Sequence, residues 1–229
     1  HLGNHLLNAA DFHSTDRGFG MNYLMPRHKT WVLSRLAIEM CEMPAAYDQF
    51  DVETWVESAM RYFTARNFAI TSPDGRTYGY GRSVWAMIDT QTRQPADILA
   101  IHDGKINDYI EVDYPCPIDR PSRVKVSAAA QRVEAVRTHY NDVDINGHIN
   151  SVKYIEHALD LFPISQYRDY FLKRFEMAYV AEAHGGDVLV FYLEQTADGE
   201  YSIKITKLVD DDKEETEVAR GRAVFIPKA

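Results

Sequence analysis

Apolar residues follow two rhythms along this chain, and the rhythms come in the same order twice. In the first half, Leu2 to Phe12 reads as a helix. Phe50, Val52, Thr54 and Val56 then alternate with Asp51, Glu53, Trp55 and Glu57, the period of a half-buried strand. A longer strand has Tyr78, Tyr80, Arg82, Val84, Ala86 and Ile88 on one side, with Trp85 and Met87 on the other. In the second half an alternating run through Val133 and Ala135 leads to Tyr140. Val152, Ile155, Leu159 and Phe162 follow at steps of three, four and three, one face of a helix. Further strands are predicted near Leu172–Glu182, Asp187–Gln195, Tyr201–Val209 and Glu215–Ile226. Ser72-Pro73-Asp74-Gly75 and Ala197-Asp198-Gly199 are the hairpin turns between such strands. A helix followed by an antiparallel sheet, twice over, is an α+β architecture.

The halves can be laid over one another. Trp31–Leu36 aligns with Tyr170–Phe175, setting Arg35 against Arg174 at an offset of 139. Asp48-Gln49-Phe50 meets Asp187-Val188-Leu189 at the same offset, and Gly81–Trp85 meets Gly221–Phe225 at 140. A repeat this long is a duplicated domain rather than a solenoid unit. Between the copies, Tyr114–Pro121 holds three of the nine prolines and reads as a linker or edge crossing. The predicted organisation is a first repeat at 1–113, a proline-rich linker at 114–128 and a second repeat at 129–229.

Composition narrows the function. At 229 residues, with 45% hydrophobic and 12% aromatic content, the chain has ample material for a packed core. No stretch approaches the roughly 18 apolar residues of a membrane span, and the start carries no secretory signal. It also lacks an initiator Met, so a longer chain is expected. A net charge of −9 argues against a nucleic-acid face. Any acidic partner would need a local basic patch, for which Arg27-His28-Lys29, Lys173-Arg174 and Arg120 with Arg123 are candidates. Two cysteines, Cys41 and Cys116, make no disulfide framework and suit a reducing cytosol. The nine histidines show no metal-ligand spacing, so no metal is expected.

Chemistry concentrates in Tyr140-Asn141-Asp142-Val143-Asp144-Ile145-Asn146-Gly147-His148-Ile149-Asn150-Ser151. Asp144, Asn146 and His148 sit at alternate positions just before the predicted helix, where unpaired N–H groups and the dipole favour developing negative charge. A carboxylate, an amide and an imidazole gathered there suit a reaction passing through an oxyanion. Asp and Asn are also the usual punctuation of turns and caps, and Asp142 and Asn150 are assigned that plainer role. An EF-hand reading fails, because the loop position that must be a bidentate Glu is Lys153.

Asp142–Ile155, Thr54-Trp55-Val56 and Ser83–Asp89 followed by Gln91-Thr92-Arg93 resemble the acyl-ACP thioesterases, the Fat-type enzymes of plants and their bacterial relatives. The likeness runs over nearly the whole chain, apart from the strand that normally precedes the first helix. It implies two fused hot-dog domains, each a long helix wrapped by an antiparallel sheet. It also implies hydrolysis of fatty acyl thioesters on acyl carrier protein, without a cofactor, by a homodimer, while the cysteine usage points to a cytoplasmic setting. Carried over residue by residue, it makes Asp144, Asn146, His148 and Glu182 the catalytic set. Plant members have Cys after that Glu. Here the position is Ala183, so water rather than a thiolate is expected to attack. Offset by 139, Glu182 falls on Met43, so the first repeat lacks the acid. The resemblance assigns that repeat to the acyl chain, with Trp55, Trp85 and Met87 as substrate-binding candidates. The alternatives are an acyl-CoA thioesterase, a hydratase on the same fold, and a non-catalytic acyl-binding protein.

Overall fold

The computed structural model describes residues 2–208 and 214–228, so the predicted strand end at Val209 lies outside the described residues. The chain divides into two compact units, His1–Pro121 and Ser122–Ala229.

The first unit opens on α1 (Leu2–Asp16), longer than the apolar pattern alone predicts. A short α2 (Met21–Leu24) leads into β1 (Lys29–Met40), β2 (Asp51–Ala59), β3 (Phe63–Thr71) and β4 (Thr77–Asp89). These strands pair antiparallel in the order β2-β3-β4-β1. The α1 helix lies on the sheet face that carries Gly81: a side chain at Gly81 would meet Leu6 and Phe68. By the two-residue period, Trp85 and Met87 share that face. Met87 is fully buried there in a cluster with Phe19, Leu24, Val56, Ala96, Ile98, Ile101 and Ile106. Trp55 is opposite Asn67, which is opposite Arg82, so it points the other way. Its indole stacks on Tyr114 at 4.3 Å and donates to the Tyr114 carbonyl at 2.9 Å. Arg82 donates to the Ile118 carbonyl at 2.8 Å, and Arg82 and Arg120 both pair with Glu57. Residues 114–120 are thereby strapped over the face away from α1.

The second unit contains β5 (Gln131–Arg137), α3 (Ser151–Leu159), α4 (Ile164–Asp169), β6 (Tyr170–Tyr179), β7 (Val188–Ala197), β8 (Glu200–Leu208) and β9 (Thr216–Pro227). Its strands pair antiparallel in the order β6-β9-β8-β7-β5. The hairpin between β7 and β8 turns at Gly199, whose φ is +68° and where an added Cβ would collide with the Phe225 carbonyl oxygen. The α3 helix is shorter than predicted. It buries Val152, Tyr154, Ile155 and Ala158, and Phe162 lies beyond its end. Pro163 disfavours helical backbone at Phe162. That ring still reaches the core, edge-on to Tyr201 and Phe225 at 4.9 Å from each. Asn150 caps the helix, its side chain accepting from the Val152 N–H at 2.9 Å. Asn150→Ala is expected to cost about 1 kcal/mol, measured as a lower denaturation midpoint at unchanged m-value.

The duplication is written into the strand irregularities. The β1/β4 register shifts between Leu33 and Arg35, and β6/β9 between Leu172 and Arg174. The β2/β3 register shifts between Val56 and Ser58, and β7/β8 between Gln195 and Ala197. Both pairs of bulges are related by 139 residues, the offset read from the aligned arginines. A bulge bends and twists its strand, so both sheets take their curvature at equivalent places.

Candidate active site

His148 is presented by a tight turn rather than by the helix. Val143 and Ile149 form an antiparallel bridge, and Asp144 N–H donates to the His148 carbonyl at 2.8 Å. Gly147, at φ +82°, closes the turn with its N–H on the Asp144 carbonyl. The Asp144 carboxylate accepts from two backbone N–H groups, Asn146 at 2.8 Å and His148 at 3.1 Å. Asp144 thus holds the main chain that carries His148, while the Asn146 side chain is exposed at the tip. The helix start lies further on, with Asn150 as its cap. The expectation that the turn carrying this set opens directly into the helix is corrected: Gly147 and the Asx turn at Asp144 complete a separate loop first.

That loop is tied to its surroundings at Asp142. Its carboxylate accepts from His139 N–H at 2.7 Å and meets His157 of α3 at 2.9 Å. Burial alone would push the Asp142 carboxyl up. The His139 N–H and the His157 ring outweigh burial and hold it below the usual carboxylate value.

Glu182 comes from the connection between β6 and β7, since β6 stops at Tyr179. The prediction that a strand runs to Glu182 is corrected accordingly. The connection is pulled against the His148 loop by an Ile149 N–H to Ala183 carbonyl bond of 2.8 Å. His148 and His184 become an antiparallel bridge pair, and directly opposite residues project to the same side. Their rings lie 5.1 Å apart, edge to face. Glu182, two residues before His184, projects to that side as well, while Ala183 between them is fully buried. Glu182 Oε2 reaches His148 Nε2 at 3.4 Å, with both side chains partly open to solvent. Lys207 fixes the connection from below, donating to the Glu182 carbonyl at 2.7 Å. Tyr154 of α3 lies near Glu182, and burial pushes its hydroxyl well above the ordinary tyrosine value, leaving it a neutral phenol.

Of the four predicted polar residues, His148 and Glu182 are in contact, Asp144 holds the backbone of the turn, and Asn146 stands at its exposed tip. His184, which joins His148 and Glu182, does not stand out in the sequence. The polar–buried–polar triplet Glu182-Ala183-His184 was its only signal. His148, Glu182 and His184 offer three donor atoms within 4.8 Å of one another, a set able to hold a metal ion. Spacing did not suggest it, because residues 148 and 184 meet only through the fold. Trp85 and Met87 share a face of the first unit, whereas Trp55 is separated from them and covered by Tyr114.

The first repeat holds the same turn without the chemistry. In the second unit the His184 N–H donates to Asp187 Oδ2 at 2.9 Å, and the Asp187 N–H returns to the His184 carbonyl at 3.2 Å. In the first, the Ala45 N–H donates to Asp48 Oδ2 at 2.9 Å and the Asp48 N–H returns to the Ala45 carbonyl at 3.1 Å. At this shared offset of 139, Glu182 and His184 correspond to Met43 and Ala45. Among the basic patches, Arg174 is taken up by the buried Glu176 at 2.7 Å, and Arg27 lies over the Tyr23 ring at 3.7 Å.

A repeated unit of one sheet with a helix laid on it defines a double hot-dog protein. A Mycobacterium tuberculosis protein described as a double hot-dog fold has the same fold, with a TM-score of 0.51 at 12% identity over 97% of this chain and 81% of that one. The model of the acyl-ACP thioesterase N-terminal domain matches residues 1–101, and that of the C-terminal domain matches 125–225. The crystal structure of an acyl-ACP thioesterase from Bacteroides thetaiotaomicron is 51% identical, with a TM-score of 0.89 over 98% of this chain and 88% of that chain. The chain belongs to the acyl-ACP thioesterase family. A chloroplastic palmitoyl-acyl carrier protein thioesterase of Gossypium hirsutum is 26% identical over 99% of this chain and 59% of its own length. The chain spans about half the length of the curated relatives it matches. Among the described residues no helix is long and apolar enough to cross a membrane.

Proposed function

We propose that this chain hydrolyses the thioester of a fatty acyl chain carried on acyl carrier protein, releasing the free fatty acid. The observation that carries the reading is the contact of Glu182 Oε2 with His148 Nε2 at 3.4 Å in the second unit, in a chain of this family. Glu182 accepts a proton from water as the water oxygen bonds to the thioester carbonyl carbon. The Asn146 amide at the tip of the turn polarises the carbonyl oxygen as it gains charge. When the carbon–sulfur bond breaks, His148 relays the proton to the departing thiolate, so the products are carboxylic acid and thiol. Asp144 keeps His148 in position through the backbone of the turn.

The same reading assigns the acyl chain to the first unit, beside Trp85 and Met87. We leave Trp55 out, since Tyr114 covers its ring. A homodimer and a cytoplasmic setting complete the proposal, the latter supported by two cysteines that form no disulfide.

The test is release of free thiol from acyl-carrier and acyl-CoA substrates of equal acyl length. A higher kcat/KM on the carrier substrate is expected. The reverse preference would make it an acyl-CoA thioesterase, and binding without thiol release would make it an acyl-binding protein. Both cysteines lie in the first unit, so Cys41→Ser and Cys116→Ser are each expected to keep full turnover. A strong loss in either would restore a thiol mechanism.

A further inference from the structure

Arg66 of β3 is a buried charge without an opposite charge. The residue is 5% exposed. Its guanidinium donates to Thr54 Oγ1 at 3.1 Å and to His13 Nδ1 at 3.2 Å, both neutral acceptors. Among the described residues no carboxylate pairs with Arg66, and the charge that most affects it is another cation, Arg17. Burial first, and Arg17 second, bring the Arg66 pKa down to about 10. Burial, with Arg66 and Arg17 adding to it, lowers His13 to about 3. His13 is therefore a neutral ring whose Nδ1 accepts from Arg66 and whose Nε2 carries the proton.

A lone buried ion is costly, and folded chains normally supply a partner. The carbonyls at the end of α1, among them those of Ser14 and Thr15 that accept from Phe19 and Gly18, carry no formal charge and do not fill that role. Beside His13 are half-buried groups that suit an anionic guest. The Arg17 guanidinium lies 5.4 Å from the centre of the Tyr109 ring, and Lys105 Nζ lies 5.5 Å from it. Phe19 and Tyr109 pack on His13, at 6.2 and 6.4 Å between ring centres. Val56, opposite Arg66 across the strand pair, belongs to the apolar cluster that contains Phe19. A guanidinium buried against a neutral imidazole, a second guanidinium over the Tyr109 ring and the aromatic rings packed on His13 supply what such binding sites usually use, apolar groups with a few polar anchors.

We propose that Arg66, Arg17 and His13 form an oxyanion-binding site in the first unit, which receives the carboxylate or phosphate group of a small ligand. A bidentate guanidinium fits either group. The apolar surroundings favour a carboxylate with a hydrocarbon tail over a free inorganic ion.

The test is calorimetric binding of dodecanoate, dodecanol and inorganic phosphate to the whole chain, with no turnover involved. Dodecanoate is expected to bind the parent at a single site tighter than dodecanol. Arg66→Gln and Arg17→Gln are expected to weaken dodecanoate by roughly tenfold or more, leaving dodecanol unchanged. Arg17 is only half-buried, so its variant serves if Arg66→Gln does not fold. Phosphate binding with the same dependence on Arg17 would identify free phosphate as a second source of the anion. The proposal is overturned if neither anion binds at millimolar concentration. It is overturned equally if dodecanoate binds Arg17→Gln and folded Arg66→Gln as it binds the parent.

Discussion

Glu182→Ala and His148→Ala proteins, folded like the parent, are expected to turn over an acyl-carrier thioester at least roughly a hundredfold more slowly, the usual cost of removing a general base or its proton relay. The two side chains act across one 3.4 Å contact. The double variant should therefore lose little more than the worse single one, because residues that work as a unit are not additive. Asn146→Ala is expected to fall by a similar factor through loss of an oxyanion donor. KM should move less than kcat in all three, since the missing interactions belong to the transition state. Parent-like rates in a folded Glu182→Ala protein would remove the carboxylate from the mechanism. Full activity in Asn146→Ala with loss in the other two would move oxyanion stabilisation to backbone N–H groups of the turn.

The second large effect concerns stability. Glu176 of β6 has a side chain only 2% exposed. It accepts from Arg174 at 2.7 Å and from the Ser122 N–H and hydroxyl at 2.7 and 2.5 Å, and Arg222 lies 3.5 Å away. Glu176→Ala leaves Arg174 buried beside the start of the second unit without this partner. Breaking such a pair costs about 3–5 kcal/mol, which at this chain length lowers Tm by roughly 10 °C. Thermal unfolding of Glu176→Ala at neutral pH checks this, and a shift under about 2 °C would contradict it. Burial alone would raise the Glu176 pKa, but the Ser122 and Arg174 contacts overcome it and hold it below the ordinary value of 4.5. A depressed carboxylate contributes its stability above the unfolded value and loses it as pH falls through the folded one. Parent and variant stabilities should therefore converge on acidification below pH 4.5.

The repeat shows how far pattern and structure agree, and where they part. The aligned arginines, Arg35 and Arg174, flank equivalent bulges, so the offset in the sequence is a true structural period. The partners of another aligned pair, Arg82 and Arg222, differ. Arg82 meets Glu57, while Arg222 meets Glu176 and Glu200. The backbone shape survived duplication and the charge pairing was rebuilt separately in each copy. A backbone hydrogen bond tolerates any side chain, whereas an ion pair needs its specific two.

The sequence by itself determined the α+β class, the two-fold repeat, the hairpin turns at Gly75 and Gly199, the cap at Asn150 and the segment that carries His148. All of these rest on short-range rules: the period of a strand, the φ a glycine permits, the reach of an Asx side chain. Only the tertiary structure decided that Glu182 sits on a connection rather than a strand, that His184 stands opposite His148, that Trp55 is turned away from Trp85, and that Arg66 is buried without an acid. Each depends on which strands pair and in what register, and register is set by contacts between residues distant in the chain. A one-residue slip beside Ala183 would turn Glu182 and His184 away from His148 without changing a single letter of the pattern.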